Sequence, residues 1–232
     1  MQPLSTPESS PPRRIRSFVR REGRLTSAQQ QALDCHWHRF GVSTRAEPLD
    51  LDALFGRAAP RCLEIGFGNG DTLLHLATAD PGTDFLGIEV HRPGVGHLLL
   101  RLAEADLGNV RVFCADAVEV LARQIPPASL QRILVFFPDP WPKKRHHKRR
   151  LIQPALLSLL ASRLESGGIV HLCTDWEPYA EHMLATFEAS ADFVNLAEQA
   201  FVPHPPERPL TRFEQRGQRL GHRTRDLMFR RL

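Results

Sequence analysis

From Arg61 onward the chain alternates short apolar runs with stretches of helical pattern. The runs are 62–65, 85–90, 110–115, 133–137 and 169–173, and helical stretches at 70–79, 95–106, 117–124 and 151–164 separate most of them. Runs that are short and continuously apolar suit strands buried on both faces, the condition of a parallel sheet. The intervening helices supply the crossovers that parallel strands need. The expected fold class is therefore α/β: a mostly parallel, Rossmann-like central sheet with helices on both faces. Upstream, 26–38 reads as a helix capped by Thr26 or Ser27, with Leu33 and Trp37 four apart on one face. Gly167-Gly168 reads as a turn before the fifth strand, and Asp175 as the cap of a helix reaching about residue 190. Residues 201–209, with four prolines, read as an extended loop, and 227–229 as a last strand.

The length of 232 residues and 42% hydrophobic content suit one large domain with extensions. The expected division is a disordered tail at 1–14, a basic and helical extension at 15–60 and a catalytic domain at 61–232. No apolar run approaches the ~18 residues of a membrane span. The first dozen residues are polar and rich in Pro and Ser, unlike a secretory leader, so a cytoplasmic protein is expected. The four cysteines (Cys35, Cys62, Cys114, Cys173) are far apart, and Cys62, Cys114 and Cys173 fall in expected strands as reduced thiols. His146 and His147 are adjacent rather than at ligand spacing on a helix, so no metal is expected.

Net charge is only +4, but it is unevenly distributed. Segments 13–24, 143–150 and 208–231 hold 20 of the 30 Lys and Arg against three acids, leaving the rest of the chain acidic. If these segments converge, they make one positive face suited to nucleic acid.

Three acids sit at or beside strand ends. Glu64 precedes the glycine turn Gly66-Phe67-Gly68-Asn69-Gly70. The spacing is G-x-G-x-G, not the dinucleotide G-x-G-x-x-G, and no Lys stands nearby to grip phosphate. An acid there suits a cationic or amine-bearing ligand. Glu89, 23 residues after Gly66, is placed to accept from ribose hydroxyls. Asp116 can accept from an adenine amino group, or it is an ordinary helix cap. Together they describe a nucleoside pocket without phosphate counter-charge, which S-adenosylmethionine fits. The fourth strand ends in Pro138-Asp139-Pro140-Trp141-Pro142, and six of the next eight residues are Lys or Arg. The prolines restrict the backbone around Asp139. Trp141 either stacks on a base or packs the loop. From residue chemistry alone Glu214 is a surface acid among arginines.

The chain resembles the bacterial tRNA (guanine-N7-)-methyltransferases, the TrmB family. The resemblance covers about 14–231 and rests on RSFVRREGR at 16–24, LEIGFGNG at 63–70, FFPDPWPKKRHHKRR at 136–150, TDWEPYAEHM at 174–183 and RPLTRFEQRGQRLGH at 208–222. It implies a class I methyltransferase fold and S-adenosyl-L-methionine as cofactor, with contacts at Glu64, Gly66, Glu89, Asp116 and Asp139. It implies Asp139 as the catalytic residue. It implies substrate contacts at Lys143, Asp175, Thr211, Arg212, Phe213 and Glu214. The implied RNA-interacting residues are Arg145, His146, His147, Lys148, Arg149 and Arg150. The implied reaction is methylation of a guanine in the tRNA variable loop, position 46 in standard tRNA numbering. No obligate protein partner is implied, and the chain is expected to be a monomer or homodimer. Two departures stand out: Arg212 replaces the family's usual lysine, and Arg223-Thr224-Arg225 replaces a Gly-Val-Trp-like stretch.

Overall fold

The computed structural model describes residues 18, 23–221 and 223–232. The expected tail at 1–14 and most of the first basic segment lie outside these residues. The strands are β1 (Arg61–Ile65), β2 (Asp84–Glu89), β3 (Val110–Cys114), β4 (Leu130–Phe136), β5 (Leu164–Thr174), β6 (Phe193–Asn195) and β7 (Arg225–Arg231). The helices are α1 (Ser27–Phe40), α2 (Leu51–Phe55), α3 (Asp71–Ala79), α4 (Arg92–Glu104), α5 (Ala117–Arg123), α6 (Pro154–Arg163), α7 (Glu177–Glu188) and α8 (Arg212–Arg219), with a 3-10 helix at Lys144–Arg149.

All seven strands form one sheet in the order β3-β2-β1-β4-β5-β7-β6. The first five pair in parallel, while β7 runs against both β5 and β6. The core splits by strand alternation. Cys62, Leu134, Phe136 and Cys173 pack with α1, α3 and α4 on one face. Leu63, Ile133, Val135 and Leu172 pack with α5, α6 and α7 on the other. The helix expected at 26–38 is present, and Thr26 and Gln29 close a capping box at its start.

The structure departs from expectation in three places. Gly167-Gly168 is not a turn between helix and strand, because β5 starts at Leu164 and runs through the pair. The pairing with β4 shifts register there, between Leu130 and Arg132. A Cβ on Gly168 would lie 2.9 Å from the Glu165 carbonyl oxygen and 3.1 Å from that of Gln131, so this irregularity needs the glycine. Asp175 does not cap the next helix: Trp176 holds the cap position of α7, with no side-chain cap bond. Finally, α8 and β6 occur where no regular structure was expected.

The direction of β7 also decides the charge distribution. Its register sets Arg225 opposite Thr174, at the carboxyl edge of the parallel strands, and Arg230 opposite Ile169, towards the other edge. Arg231 pairs with Phe193 and donates to the Leu164 carbonyl. The basic residues of 208–231 therefore do not form one face, which corrects the reading of a single convergent positive surface.

Candidate active site

A cleft of about 330 Å³ opens at the carboxyl ends of β1 to β4. The strand order reverses between β1 and β4, the switch point where such sheets bind ligands. Its lining includes Gly66, Glu89, Asp116, Phe136, Phe137 and Asp139. Four of the five expected cofactor residues thus meet in one cavity. Glu64 is not among the lining residues; it sits in β1, one residue before Ile65.

The glycine turn builds the first wall. Gly66, Gly68 and Gly70 adopt φ of 76°, 59° and 80°, the left-handed region that a side chain disfavours. Gly94 in α4 packs against this turn: a Cβ there would come 2.0 Å from the Gly68 carbonyl oxygen. Glu89 ties the turn to β2. Its Oε2 accepts from Gly68 N at 2.9 Å, and Oε1 accepts from Val90 N at 2.6 Å and His91 N at 2.9 Å. A carboxylate offers about four acceptor sites, so roughly one remains for a ligand hydroxyl. Asp116 is the N-cap of α5 and accepts from Val118 N at 2.9 Å, while also lining the cleft. Asp116 is therefore a helix cap that also faces the cleft.

Glu64 is 3% exposed, and its Oε2 has no hydrogen-bond partner among the described residues. Burial, with the Glu89 carboxylate adding to it, pushes its carboxyl up to about 8. Such an acid is stable as the neutral form or beside a cation.

Beyond β4 the backbone turns sharply. Phe137 and Trp141 adopt φ of 49° and 45°, flanking Pro138-Asp139-Pro140. Left-handed backbone at bulky residues is uncommon and gathers at functional sites. Asp139 is exposed at the cleft mouth. Trp141 packs: the Arg149 guanidinium lies 5.1 Å from its ring centre, and His146 meets its ring edge-on at 5.7 Å. Desolvation, then the charges of Arg145 and Arg149, lowers the His146 imidazole from its ordinary value and favours its neutral form. Lys143, Lys144, Arg145 and Lys148 are exposed, and His147 is partly buried. Arg150 is the exception. It is 4% exposed, donates from Nε to the Pro140 carbonyl at 3.0 Å and stacks 4.8 Å from the Tyr179 ring centre. It braces the turn from inside, which corrects its expected place among the RNA-facing cations.

Asp175 follows the end of β5 and is partly buried at the same sheet edge. Thr211 Oγ1 accepts from Glu214 N at 3.0 Å at the start of α8, whose first two residues are Arg212 and Phe213. Glu214 is not a surface acid. It is 2% exposed and accepts from both terminal nitrogens of Arg208, at 2.7 and 2.8 Å. Arg208 also donates to Asp226 Oδ2 at 3.0 Å, and Asp226 Oδ1 pairs with His171 Nε2 at 2.8 Å. Burial pulls the Arg208 guanidinium down, but its bonds to Glu214 and the charge of Asp226 outweigh this and hold it above its ordinary value. The guanidinium lies 5.8 Å from the Phe136 ring, which also lines the cleft. This buried cluster, with Arg208 at its centre, was missed in the sequence.

Solved structures share the architecture. A 16S rRNA methyltransferase, KamB, aligns with a TM-score of 0.56 at 16% identity, over 83% of this chain and 98% of its own. TrmN from Thermus thermophilus aligns at 0.53 and 18% identity, over 88% of this chain and 48% of its own. The fold is that of the class I S-adenosylmethionine-dependent methyltransferases. A protein-family model described as "Putative methyltransferase" matches residues 58–227. The tRNA (guanine-N(7)-)-methyltransferase of Halorhodospira halophila is 59% identical over 223 residues, covering 95% of this chain and 96% of that protein. Its counterpart from Pseudomonas aeruginosa is 54% identical over 226 residues, covering 97% and 93%. The chain belongs to the tRNA (guanine-N7-)-methyltransferase family.

Proposed function

We propose that this chain transfers a methyl group from S-adenosyl-L-methionine to N7 of a guanine in the tRNA variable loop, at position 46, forming N7-methylguanosine. The observation that carries the donor assignment is the buried, unsatisfied Glu64 oxygen in β1, two residues before the glycine turn that lines the cleft. The donor, when bound, supplies an electrophilic methyl group on a sulfonium and carries an ammonium as well. Glu64 would hold a positive group of the donor, Glu89 a ribose hydroxyl and Asp116 the adenine, with Gly66 allowing close approach. Lys143, Lys144, Arg145, Lys148 and Arg149 would grip phosphates. Asp175 and the Thr211–Glu214 segment would border the target base, with Glu214 holding that segment through Arg208.

Neutral guanine N7 carries a lone pair and no proton, so the transfer needs no general base. Placing the two reactants in line accounts for most of the acceleration. The product base is cationic, and a fixed carboxylate at the cleft mouth stabilises that developing charge. Asp139 takes this part, and its position between two prolines fixes it in advance. N7 lies in the deep major groove of an RNA helix, so the target base must be splayed out to reach it. Incubation with bulk tRNA and methyl-labelled donor, followed by cleavage at N7-methylguanine, tests the assignment. Cleavage should fall in the variable loop; label absent from tRNA, or stable to that cleavage, would sink it.

Two substitutions separate chemistry from binding. Asp139→Asn should lower the single-turnover rate about 10²–10³-fold while donor affinity changes only a few-fold; a near-normal rate removes Asp139 from the chemistry. Gly94→Ala forces the Gly68 carbonyl to move, since contact at 2.0 Å is impossible. It should weaken donor binding about tenfold in calorimetry, with circular dichroism unchanged; wild-type affinity would show that the turn yields freely.

A further inference from the structure

We infer that a groove between the β5–α7 and α8–β7 connections, walled by Trp176 and Arg223, is a second RNA subsite that takes one unstacked nucleotide next to the target base. The inference rests on the tRNA reading above.

The sheet creates this groove. Because β7 lies antiparallel to β5, the residues before β7 meet those after β5 at the carboxyl edge. Asp175, Trp176, Glu177, Gly221, Arg223 and Arg225 therefore surround one open cavity of about 370 Å³. The donor cleft occupies the carboxyl ends of β1 to β4, and this groove continues the same edge across β5 and β7. Asp139 and Asp175 follow neighbouring strands, so the target base would lie between the two cavities.

The groove's chemistry matches a nucleotide. Trp176 is 38% exposed although it is a large aromatic. Its backbone is fixed, with its N–H donating to Thr174 Oγ1 at 3.2 Å and its carbonyl accepting from Tyr179 N at 2.9 Å and Ala180 N at 3.0 Å. A partly exposed indole on a hydrogen-bonded backbone is a stacking platform that any base can use. Arg225 Nη2 reaches Glu177 Oε1 at 2.8 Å, so that acid is neutralised rather than left to repel phosphate. Arg223 is exposed on the same wall and supplies the cation. Arg223 and Arg225 thus put positive charge in the groove that Trp176 borders.

The test uses the full chain with Trp176→Ala, Trp176→Phe and Arg223→Gln. Trp176→Ala should weaken tRNA binding about five- to fifty-fold by fluorescence anisotropy, with donor affinity unchanged. Trp176→Phe keeps a ring and should recover most of that loss. Arg223→Gln should lower the slope of log affinity against log salt by about 0.7, the share of one phosphate contact on a single strand. Single-stranded oligoadenylate of about 8 nucleotides is the second probe, and it should quench indole fluorescence in wild type but much less in Trp176→Phe. Wild-type tRNA and oligonucleotide binding in both Trp176→Ala and Arg223→Gln overturns the groove, as does equal loss in Trp176→Ala and Trp176→Phe. A wild-type protein that binds oligoadenylate through Trp176 yet methylates no tRNA overturns the functional reading instead, and leaves the groove standing.

Discussion

Affinity for S-adenosylmethionine should rise close to tenfold per pH unit from pH 6 to about 8 in the wild type, and far less steeply in Glu64→Gln. Glu64 is 3% exposed, and burial followed by Glu89 lifts its carboxyl to about 8. Below that pH the ligand-free protein holds a neutral acid, while a cationic ligand selects the carboxylate. Binding must then release a proton, at about 1.4 kcal/mol for each pH unit below 8. At pH 8.5 the glutamine variant lacks a charge-assisted bond worth about 1.5–3 kcal/mol and should bind about ten- to a hundred-fold more weakly. At pH 6 the two proteins should converge. The donor's own amino group titrates near pH 8, so the two proteins are compared at each pH. Calorimetry in buffers of different ionisation enthalpy counts the protons, and no release by the wild type at pH 7 would refute the assignment.

The same carboxyl predicts how stability of the ligand-free protein depends on pH. Its folded value, about 8, is above its unfolded value near 4.5. Between those values the unfolded chain binds fewer protons than the native one, so stability falls as pH rises through the window and levels off above 8. The loss is on the order of 4 kcal/mol across the window. Urea melts at pH 5 and pH 8 should show Glu64→Gln less sensitive to pH by that amount. Equal sensitivity would mean that Glu64 is ionised and solvated in the native state.

The strand residues show why the sheet could be read from the chain. Each parallel strand is buried on both faces, and a run such as Ile133 to Phe136 declares that condition locally. The cleft acids follow, because strand ends place Glu89, Asp116 and Asp139 at one edge. Glu214 shows where local reading stops. Among arginines it looks solvated, and only Arg208, brought in by the proline-rich loop, and the burial of Asp226 beneath it reveal otherwise. Arg150 fails in the same way: nothing in a basic run marks the one cation that turns in to meet Tyr179. Arg150 and Tyr179 are 29 residues apart, and Arg208 and Glu214, though only six apart, meet across an irregular loop, so periodicity carries no trace of either pairing. The direction of β7 is a topological choice of the same kind, and it sends Arg230 away from the site.

Arg208→Met should lower the unfolding free energy by about 3–5 kcal/mol, the range for removing one partner from a buried charge cluster. Arg208, Glu214 and Asp226 are 2%, 2% and 4% exposed, and His171 shares the Asp226 carboxylate. Without the guanidinium, two carboxylates face each other out of water. They must take up protons or pull the loop bearing Thr211 off the sheet. Arg208→Lys keeps the charge but cannot make the two-pronged contact with Glu214 while also reaching Asp226, so about half of the loss should persist. Arg208→Met combined with Glu214→Gln removes one of the stranded charges and should recover part of it. Because the cluster ties the Thr211–Glu214 segment to Phe136 at the cleft, Arg208→Met should also weaken tRNA binding more than donor binding. Urea melts together with the two binding measurements decide the matter. A loss under about 1 kcal/mol would show that the pair can be opened to water cheaply, and equal loss of both ligands would show a general loosening of the sheet rather than release of this segment.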